Sequence, residues 1–284
     1  MYTLIADSGS TKTDWILLKD NEIVKQVFTI GFNPYFQNKD QISNAIYAQL
    51  LPNIENIIND IDKIFYYGAG CSNQDNCNIV KQGIGSIIKV KAIYISHDLL
   101  AASRALCLDK PGIAGILGTG SNSCLYDGKN ISENVPSVGY MWGDHGSGAS
   151  IGKRFLNYYF NDELPTEIKL DFENQGYHRE EILNNVYKKN MPSKYLASMS
   201  LFLGKHIDND FIKKILVECF EEFFTYQISK YTNSKKYPIN TVGSIGFLYK
   251  DLLKIAATNK GYELGAVIKS PLEGLVKFHQ NFTE

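Results

Sequence analysis

The sequence has no apolar run long enough to cross a bilayer, and no basic region followed by an apolar stretch stands at its start. Its five cysteines are an odd number without a C-x-x-C pair, so neither a disulfide framework nor a zinc site is indicated. Neither sign of charge is in excess, because 29 basic and 30 acidic side chains leave a net charge of -1. These absences predict a cytoplasmic protein with free thiols and with no nucleic-acid or membrane partner.

The established phosphate-binding patterns G-x-x-x-x-G-K-[ST] and G-x-G-x-x-G are also missing. Instead, three turns rich in Gly, Ser and Thr follow apolar segments: "DSGSTKTD" at 7–14, "GTGSNS" at 118–123 and "GSIG" at 243–246. Such turns expose backbone N–H groups that can close on a phosphate oxygen. The first turn alone is equally compatible with a plain hairpin. Its repetition favours phosphate binding.

An alternation of strands and helices predicts an α/β protein. The segment "LIADSGSTKTDWILLKDNEI" and the later "GILGTGSNSCLYDGKNI" share one pattern of strand, polar turn and strand, which is a weak internal repeat. The 284 residues therefore predict two domains of one plan, separated at the break "DKPG", 109–112. The predicted strands are 2–6, 15–19, 22–29, 63–67, 91–95, 113–117, 124–126, 237–242 and 262–269. The predicted helices are 42–58, 79–88, 99–108, 147–160, 163–173, 178–190, 193–206, 209–231, 247–258 and 272–280.

The three turns, in this order, resemble those of the actin–hexokinase–heat-shock ATPase superfamily. Within it, "DSGSTKTD", "LGTGSNS" and "WGDHGSGASIGK" resemble the N-acetylglucosamine kinase and BadF/BadG/BcrA/BcrD ATPase family. The resemblance implies an α/β fold of two ribonuclease H-like (actin-like ATPase) domains with a central cleft and helical insertions in the second domain. The first domain would be 1–109, with the helix 271–284 returning to it, and the second 110–270. Relatives are often dimers, so a homodimer is an open option.

The resemblance also implies ATP and Mg²⁺ as cofactors. Asp7 stands at a strand end, where its carboxylate could hold Mg²⁺ through water. By resemblance, the first phosphate turn comprises Asp7, Gly9, Ser10, Thr11, Lys12 and Thr13. The second comprises Gly118, Thr119, Gly120 and Ser121, and the adenosine would lie against Gly243, Ser244 and Gly246.

Asp98 is the predicted catalytic base, because it follows a strand and begins a helix, and because an Asp in this place accepts the acceptor hydroxyl proton in sugar-kinase relatives. The alternative role for Asp98 is a helix N-cap. The predicted acceptor-binding residues are Asn33, Asn122, Trp142, Gly143, Asp144 and His145. Relatives more commonly carry Asn where this chain has His97 and Glu where it has His145, and the second difference bears on acceptor identity.

The predicted activity is therefore phosphorylation of an amino sugar by ATP at the 6-hydroxyl, with N-acetylglucosamine as the leading acceptor and glucosamine and N-acetylmuramic acid as alternatives. One competing hypothesis is an ATPase activator of a radical dehydratase, which requires cysteine ligands for an iron–sulfur cluster. Cys107 and Cys124 make no convincing cluster pair. A non-catalytic sugar or nucleotide sensor is the other hypothesis, and the presence of both Asp7 and Asp98 disfavours it.

Overall fold

The computed structural model describes residues 1–9 and 12–282 and divides into two compact units. Unit 1 contains 1–109 and the C-terminal segment from residue 271, and unit 2 contains 110–270. Within the described ranges, no helix is both long and apolar enough to span a membrane.

Unit 1 is built on one mixed sheet. Its strands are β1 (Tyr2–Ser8), β2 (Lys12–Lys19), β3 (Glu22–Ile30), β4 (Ile61–Gly68) and β5 (Ala92–His97). The spatial order is β3-β2-β1-β4-β5, with the three hairpin strands antiparallel and β1, β4 and β5 parallel. The parallel strands therefore end at one common edge of the sheet, the edge where α/β proteins place their ligands.

Helices cover both faces of this sheet. Side chains alternate between the two faces along each strand, so apolar residues of the strands form a core on each face. Leu4 and Ala6 of β1 join the core on one face, under α1 (Lys39–Ala45), α2 (Leu51–Ile54) and α3 (Gln74–Ile87). Ile5 joins the core on the other face, under α4 (Asp98–Cys107) and the C-terminal helix α13 (Leu272–Asn281).

Unit 2 repeats the mixed sheet, with strands β6 (Pro111–Leu117), β7 (Ser121–Asp127), β8 (Ile131–Asn134), β9 (Ile239–Val242) and β10 (Leu264–Ile268) in the order β10-β9-β6-β7-β8. Between β8 and β9 the chain inserts α5 (Gly139–Trp142), α6 (Gly148–Phe160), α7 (Thr166–Asn174), α8 (Arg179–Tyr187), α9 (Pro192–Lys205) and α10 (Asp210–Tyr226). After β9 come α11 (Ser244–Leu248) and α12 (Lys250–Asn259). The predicted two-domain α/β architecture with helical insertions in the second domain is confirmed.

Some element boundaries differ from the sequence prediction for local physical reasons. The predicted helix 42–58 is helical throughout but changes type, with a wider π-type segment at Ile46–Leu50 and a tighter 3-10 segment at Glu55–Asp60. Pro52, which has no N–H to donate, stands at the start of the short α-helical segment between them. Strand β7 begins at Ser121, so the second glycine turn is shorter than the predicted loop 118–123. Helix α5 was not predicted, since four residues show no periodicity.

Candidate functional site

The carboxyl edge of the unit 1 sheet gathers three carboxylates. Asp7 lies near the end of β1, directly opposite Asp14 in the antiparallel ladder with β2. Asp98 begins α4 immediately after β5, whose end lies level with those of β4 and β1. Sequence reasoning placed Asp7 and Asp98 at strand ends, and the strand order brings them to the same edge. Asp14 was not predicted, because its position depends on the hairpin register.

The carboxylate of Asp7 has a raised proton affinity at this edge. Burial is the main cause that raises the pKa of Asp7 to about 7, and the negative charges of Asp98 and Asp14 raise it further against the opposing effect of Lys12. Burial also raises the pKa of Asp98, which is opposed by His97 and by a hydrogen bond from the backbone N–H of Leu99. Negative charge concentrated in this way is relieved by a bound cation.

This edge fits the predicted water-mediated magnesium. Among the described residues, no group of three or more His, Cys, Asp or Glu side chains is close enough to hold a metal ion directly. Mg²⁺ commonly takes only one or two carboxylates and completes its shell with water and phosphate oxygens. Asp7 can supply such a carboxylate without a protein cage.

The first glycine turn closes through a hydrogen bond from the Gly9 N–H to the Lys12 carbonyl at 3.0 Å. Ser10 and Thr11, both predicted phosphate ligands, lie outside the described residues. The hydroxyl of Thr13 is buried, 2.6 Å from Ser8 Oγ and 3.0 Å from the Ile30 carbonyl it donates to. The side chain of Thr13 therefore supports the hairpin from inside and presents no donor at its surface.

Lys12 is engaged by neighbours on the sheet. Its Nζ lies 2.7 Å from Asp14 Oδ1 and 3.8 Å from the centre of the Phe28 ring. The ammonium group of Lys12 thus offsets part of the negative charge of Asp14, which lies beside Asp7. The Lys12 side chain is also half exposed.

Asn33 packs against the loop that follows β4. Its Oδ1 accepts a hydrogen bond from the Tyr35 N–H at 3.1 Å. Gly70 has a φ of +81°, and a Cβ at this position would lie 2.6 Å from Asn33 Oδ1. A glycine is therefore required for the loop to approach Asn33 this closely.

The second glycine turn, in unit 2, is joined to the start of α6. The carbonyls of Gly118 and Thr119 accept hydrogen bonds from Gly148 and Ala149 at 2.9 and 3.0 Å. Ser147 caps the helix by accepting from the Ser150 N–H. Helix α6 thereby fixes the conformation of the turn that was predicted to bind phosphate.

Asp144 and the second turn form one packed structure. Asp144 Oδ1 accepts from the Ser121 N–H at 3.3 Å, and a Cβ at Gly120 would lie 2.8 Å from Asp144 Oδ2. The Ser121 hydroxyl donates to the His145 carbonyl at 2.8 Å. The loop predicted to bind the acceptor and the turn predicted to bind phosphate are thus held together by direct hydrogen bonds.

We expect Asp144→Ala to weaken nucleotide and sugar binding together, each about tenfold or more. The substitution leaves the buried Ser121 N–H without its acceptor, which costs about 1–3 kcal/mol. Isothermal titration with a nucleotide analogue and with an amino sugar measures both. Asp127→Ala is the matched control, because Asp127 also accepts backbone N–H bonds but lies in the β7–β8 turn. Loss of sugar affinity alone would show that the contact to Ser121 does not support the turn.

The third turn packs on the second through its glycines. Gly243 has a φ of +129°, and a Cβ there would lie 2.3 Å from the Leu117 carbonyl oxygen. A Cβ at Gly246 would lie 3.2 Å from Leu117 Cβ. Ser244 begins α11 at this contact. The predicted adenosine turn and the second phosphate turn are therefore neighbours within unit 2.

A buried network that the sequence did not reveal supports the second turn. Gln227 Nε2 donates to Ser121 Oγ at 3.0 Å, and its Oε1 accepts from Ser123 Oγ at 3.0 Å. The Tyr231 hydroxyl lies 2.8 Å from the same Ser123 oxygen. Gln227 follows Ser121 by more than a hundred residues, so no local pattern marks it as a partner.

Of the remaining predicted acceptor residues, Trp142 is 80% exposed on α5. It is therefore not a core residue and is open to a ligand. Gly143 lies two residues before His145. The His145 ring centre lies 4.6 Å from that of Tyr226, and its Nδ1 lies 3.6 Å from Glu222 Oε2. Asn122 Oδ1 is used locally, by the Ser123 N–H and by Asn134.

The cysteines do not form a reactive centre. Cys107 and Cys124 are buried, each in its own unit. Burial raises the pKa of Cys71 to about 12, and its neighbour Cys77 donates to the Cys71 carbonyl at 3.6 Å. A thiol with a raised pKa is a poor nucleophile.

Comparison with known proteins gives relatives over nearly the whole chain. No protein-family model matches it. A crystal structure from Porphyromonas gingivalis, provisionally named N-acetylglucosamine kinase, is 36% identical with a TM-score of 0.94, and the match covers 98% of this chain and 99% of that one. A Clostridium acetobutylicum protein named N-acetylmuramic acid/N-acetylglucosamine kinase is 24% identical over 280 residues and 91% of each chain. A ROK-family glucokinase from Streptomyces griseus, solved with glucose and AMPPNP, is 12% identical with a TM-score of 0.57 over 98% of each chain, which is a likeness of fold.

Proposed function

Because the chain belongs to the N-acetylglucosamine kinase family of actin-like ATPases, we propose that it transfers the γ-phosphoryl group of MgATP to the 6-hydroxyl of N-acetylglucosamine. It is an ATP-dependent sugar kinase that acts on an amino sugar. Glucosamine and N-acetylmuramic acid are the alternative acceptors. The observation that carries the proposal is that Asp7 and Asp98 lie at one sheet edge of unit 1, where the charge of Asp98 helps to raise the pKa of the buried Asp7 carboxyl.

Asp98 is the proposed general base. A carboxylate whose pKa is raised by burial is a stronger base than an exposed one, because its proton affinity lies closer to neutral pH. The Leu99 N–H donates to the carboxylate and thereby orients it. Burial lowers the pKa of the neighbouring His97, which favours its neutral form. In this role Asp98 accepts the proton of the acceptor hydroxyl as the oxygen attacks phosphorus.

The second hairpin turn of unit 2 is proposed to bind nucleotide phosphates through its backbone N–H groups, with adenosine against the third turn of the same unit. The first hairpin turn, in unit 1, is likewise a proposed phosphate-binding turn. Asp7 would hold Mg²⁺ through water, and bound Mg²⁺ supplies neutralisation of the charge on the transferred phosphoryl group. Asn33 of unit 1 and Asp144 of unit 2 are each proposed, separately, as acceptor-binding residues.

An ADP-release assay with N-acetylglucosamine, glucosamine, N-acetylmuramic acid and glucose tests the acceptor. Phosphorus-coupled proton NMR of the product identifies the phosphorylated oxygen, and titration with EDTA and then Mg²⁺ tests the metal. We expect N-acetylglucosamine to stimulate ADP release more than glucose does. If no amino sugar stimulates ADP release, the proposed acceptor class is wrong.

A further inference from the structure

A small pocket lies beside the Asp144 loop in unit 2. Its volume is about 250 Å³. It is lined by residues of α5, the following loop, α6 and α10: Met141, Trp142, Gly143, His145, Ser150, Lys153, Arg154, Asn157 and Glu222. Whole-ligand pockets are typically about 300–1,000 Å³. This pocket therefore fits one substituent of a ligand better than a complete sugar nucleotide.

Two cationic side chains, Lys153 and Arg154, line the pocket together with one carboxylate, Glu222. Arg154 binds two carboxylates of α10, Glu218 at 3.2 Å and Glu222 at a shorter distance. Glu222 also lies 3.6 Å from His145. The acidic side of the pocket is thus already satisfied by protein cations.

Lys153 forms no ion pair with these carboxylates. Burial raises the pKa of Asp144 in the adjoining loop, and the positive charge of Lys153 is among the groups that oppose this rise. Lys153 Nζ donates to the carbonyls of Tyr140 at 3.2 Å and Met141 at 3.4 Å, at the end of α5. Within the part of the chain that the structure describes, no carboxylate lies within 4.0 Å of this ammonium group, the distance of an ion pair. An ammonium group has three N–H donors. One donor therefore remains for a group inside the pocket.

The wall near Lys153 has apolar character. Trp142 and Met141 are both largely exposed, at 80% and 56%, and both line the pocket. An aromatic and a thioether side chain can cover the carbon atoms of a short substituent while its polar end reaches the ammonium group. The combination selects a short carbon chain that ends in an anion.

We propose that this pocket binds a carboxylate-bearing substituent of the acceptor sugar, with Lys153 as the residue that recognises the carboxylate. The inference rests on the proposed function, because it assumes an amino-sugar acceptor beside Asp144. The substrate class is an N-acylated amino sugar with a short acidic ether group on the ring. Neutral N-acetylglucosamine binds to the same site without using the pocket.

The test compares three acceptors: N-acetylmuramic acid, its methyl ester and N-acetylglucosamine. Lys153→Met removes the charge at similar length, and Lys153→Arg restores it. Lys254→Met is the matched control, because Lys254 is an exposed lysine of α12 outside the pocket. A charge-assisted hydrogen bond is roughly twice as strong as a neutral one. We expect Lys153→Met to raise the KM of the acid about 10- to 100-fold while the KM of the ester and of N-acetylglucosamine changes less than about threefold.

A purely structural role of Lys153 would change the KM of all three acceptors together, and that result would overturn the inference. If Lys153→Met instead raises the KM of ATP with every acceptor, the ammonium group contacts the nucleotide phosphates. That result would also overturn the inference. Retention of the acid preference in Lys153→Arg, and its decline with added salt, support the charge interaction. If wild-type protein phosphorylates none of the three acceptors, the proposed function itself fails. If it phosphorylates N-acetylglucosamine but Lys153→Met leaves the KM of the acid unchanged, only the pocket assignment fails.

Discussion

Asp98→Asn is expected to lower kcat by roughly a hundredfold or more while the dissociation constants for nucleotide and sugar stay within about threefold. Asparagine keeps the size of the side chain and can still accept the hydrogen bond from the Leu99 N–H. It cannot accept a proton. A lower kcat with unchanged dissociation constants is therefore the expected result of losing the general base. Steady-state ADP release gives kcat, and isothermal titration gives the two dissociation constants.

Asp75→Asn is the control for a role at the helix end. Asp75 lies in the first turn of α3, as Asp98 does in α4, and an acidic residue there stabilises a helix by about 0.3–1 kcal/mol. Both variants lose this interaction, but only Asp98→Asn loses the proposed base. The cap residue of α4 is His97, which makes no side-chain cap hydrogen bond. Turnover of Asp98→Asn within a few-fold of wild type would remove Asp98 from the mechanism.

Asp7→Asn is expected to abolish turnover and, at the same time, to stabilise the ligand-free protein above neutral pH. The folded pKa of Asp7, about 7, lies above the ordinary value of 3.8. The folded state therefore binds the proton more tightly than the unfolded state, and stability falls as pH rises from about 4 to about 7. The asparagine variant avoids this loss. The advantage is absent below pH 4 and complete above pH 7.

The size of the gain is limited because part of the Asp7 side chain remains in contact with water, which lowers the cost of burying its charge. We expect about 1–3 kcal/mol at pH 8, where each pKa unit corresponds to about 1.4 kcal/mol. A protein of this size then gains roughly 3–8 °C in Tm. Thermal unfolding at pH 4 and pH 8, without nucleotide or metal, measures the difference. Asp62→Asn is the opposite control, because the ion pair with Lys91 lowers the pKa of Asp62. A Tm for Asp7→Asn below that of wild type at pH 8 would contradict the predicted cost of burying the Asp7 charge.

Most secondary structure was predictable from local pattern. The opening hairpin, the parallel strands that follow and the final helix show clear periodicity, and the structure contains all of them. The α/β class with a helical second domain followed from their order. The departures from the prediction have short-range causes: the helical type changes near Pro52, and α5 is too short to show a period.

The sequence by itself identified the three glycine turns and the carboxylates at strand ends, because turn conformation and strand termination depend on neighbouring residues. Only the tertiary structure decided what those residues contact. Strand pairing set Asp14 opposite Asp7 and turned the Thr13 hydroxyl inward. Packing of the inserted helices brought Asp144 and Gln227 onto Ser121, across 23 and 106 residues of chain. Such contacts depend on strand order and helix packing, and no local pattern encodes the distance between two segments so far apart.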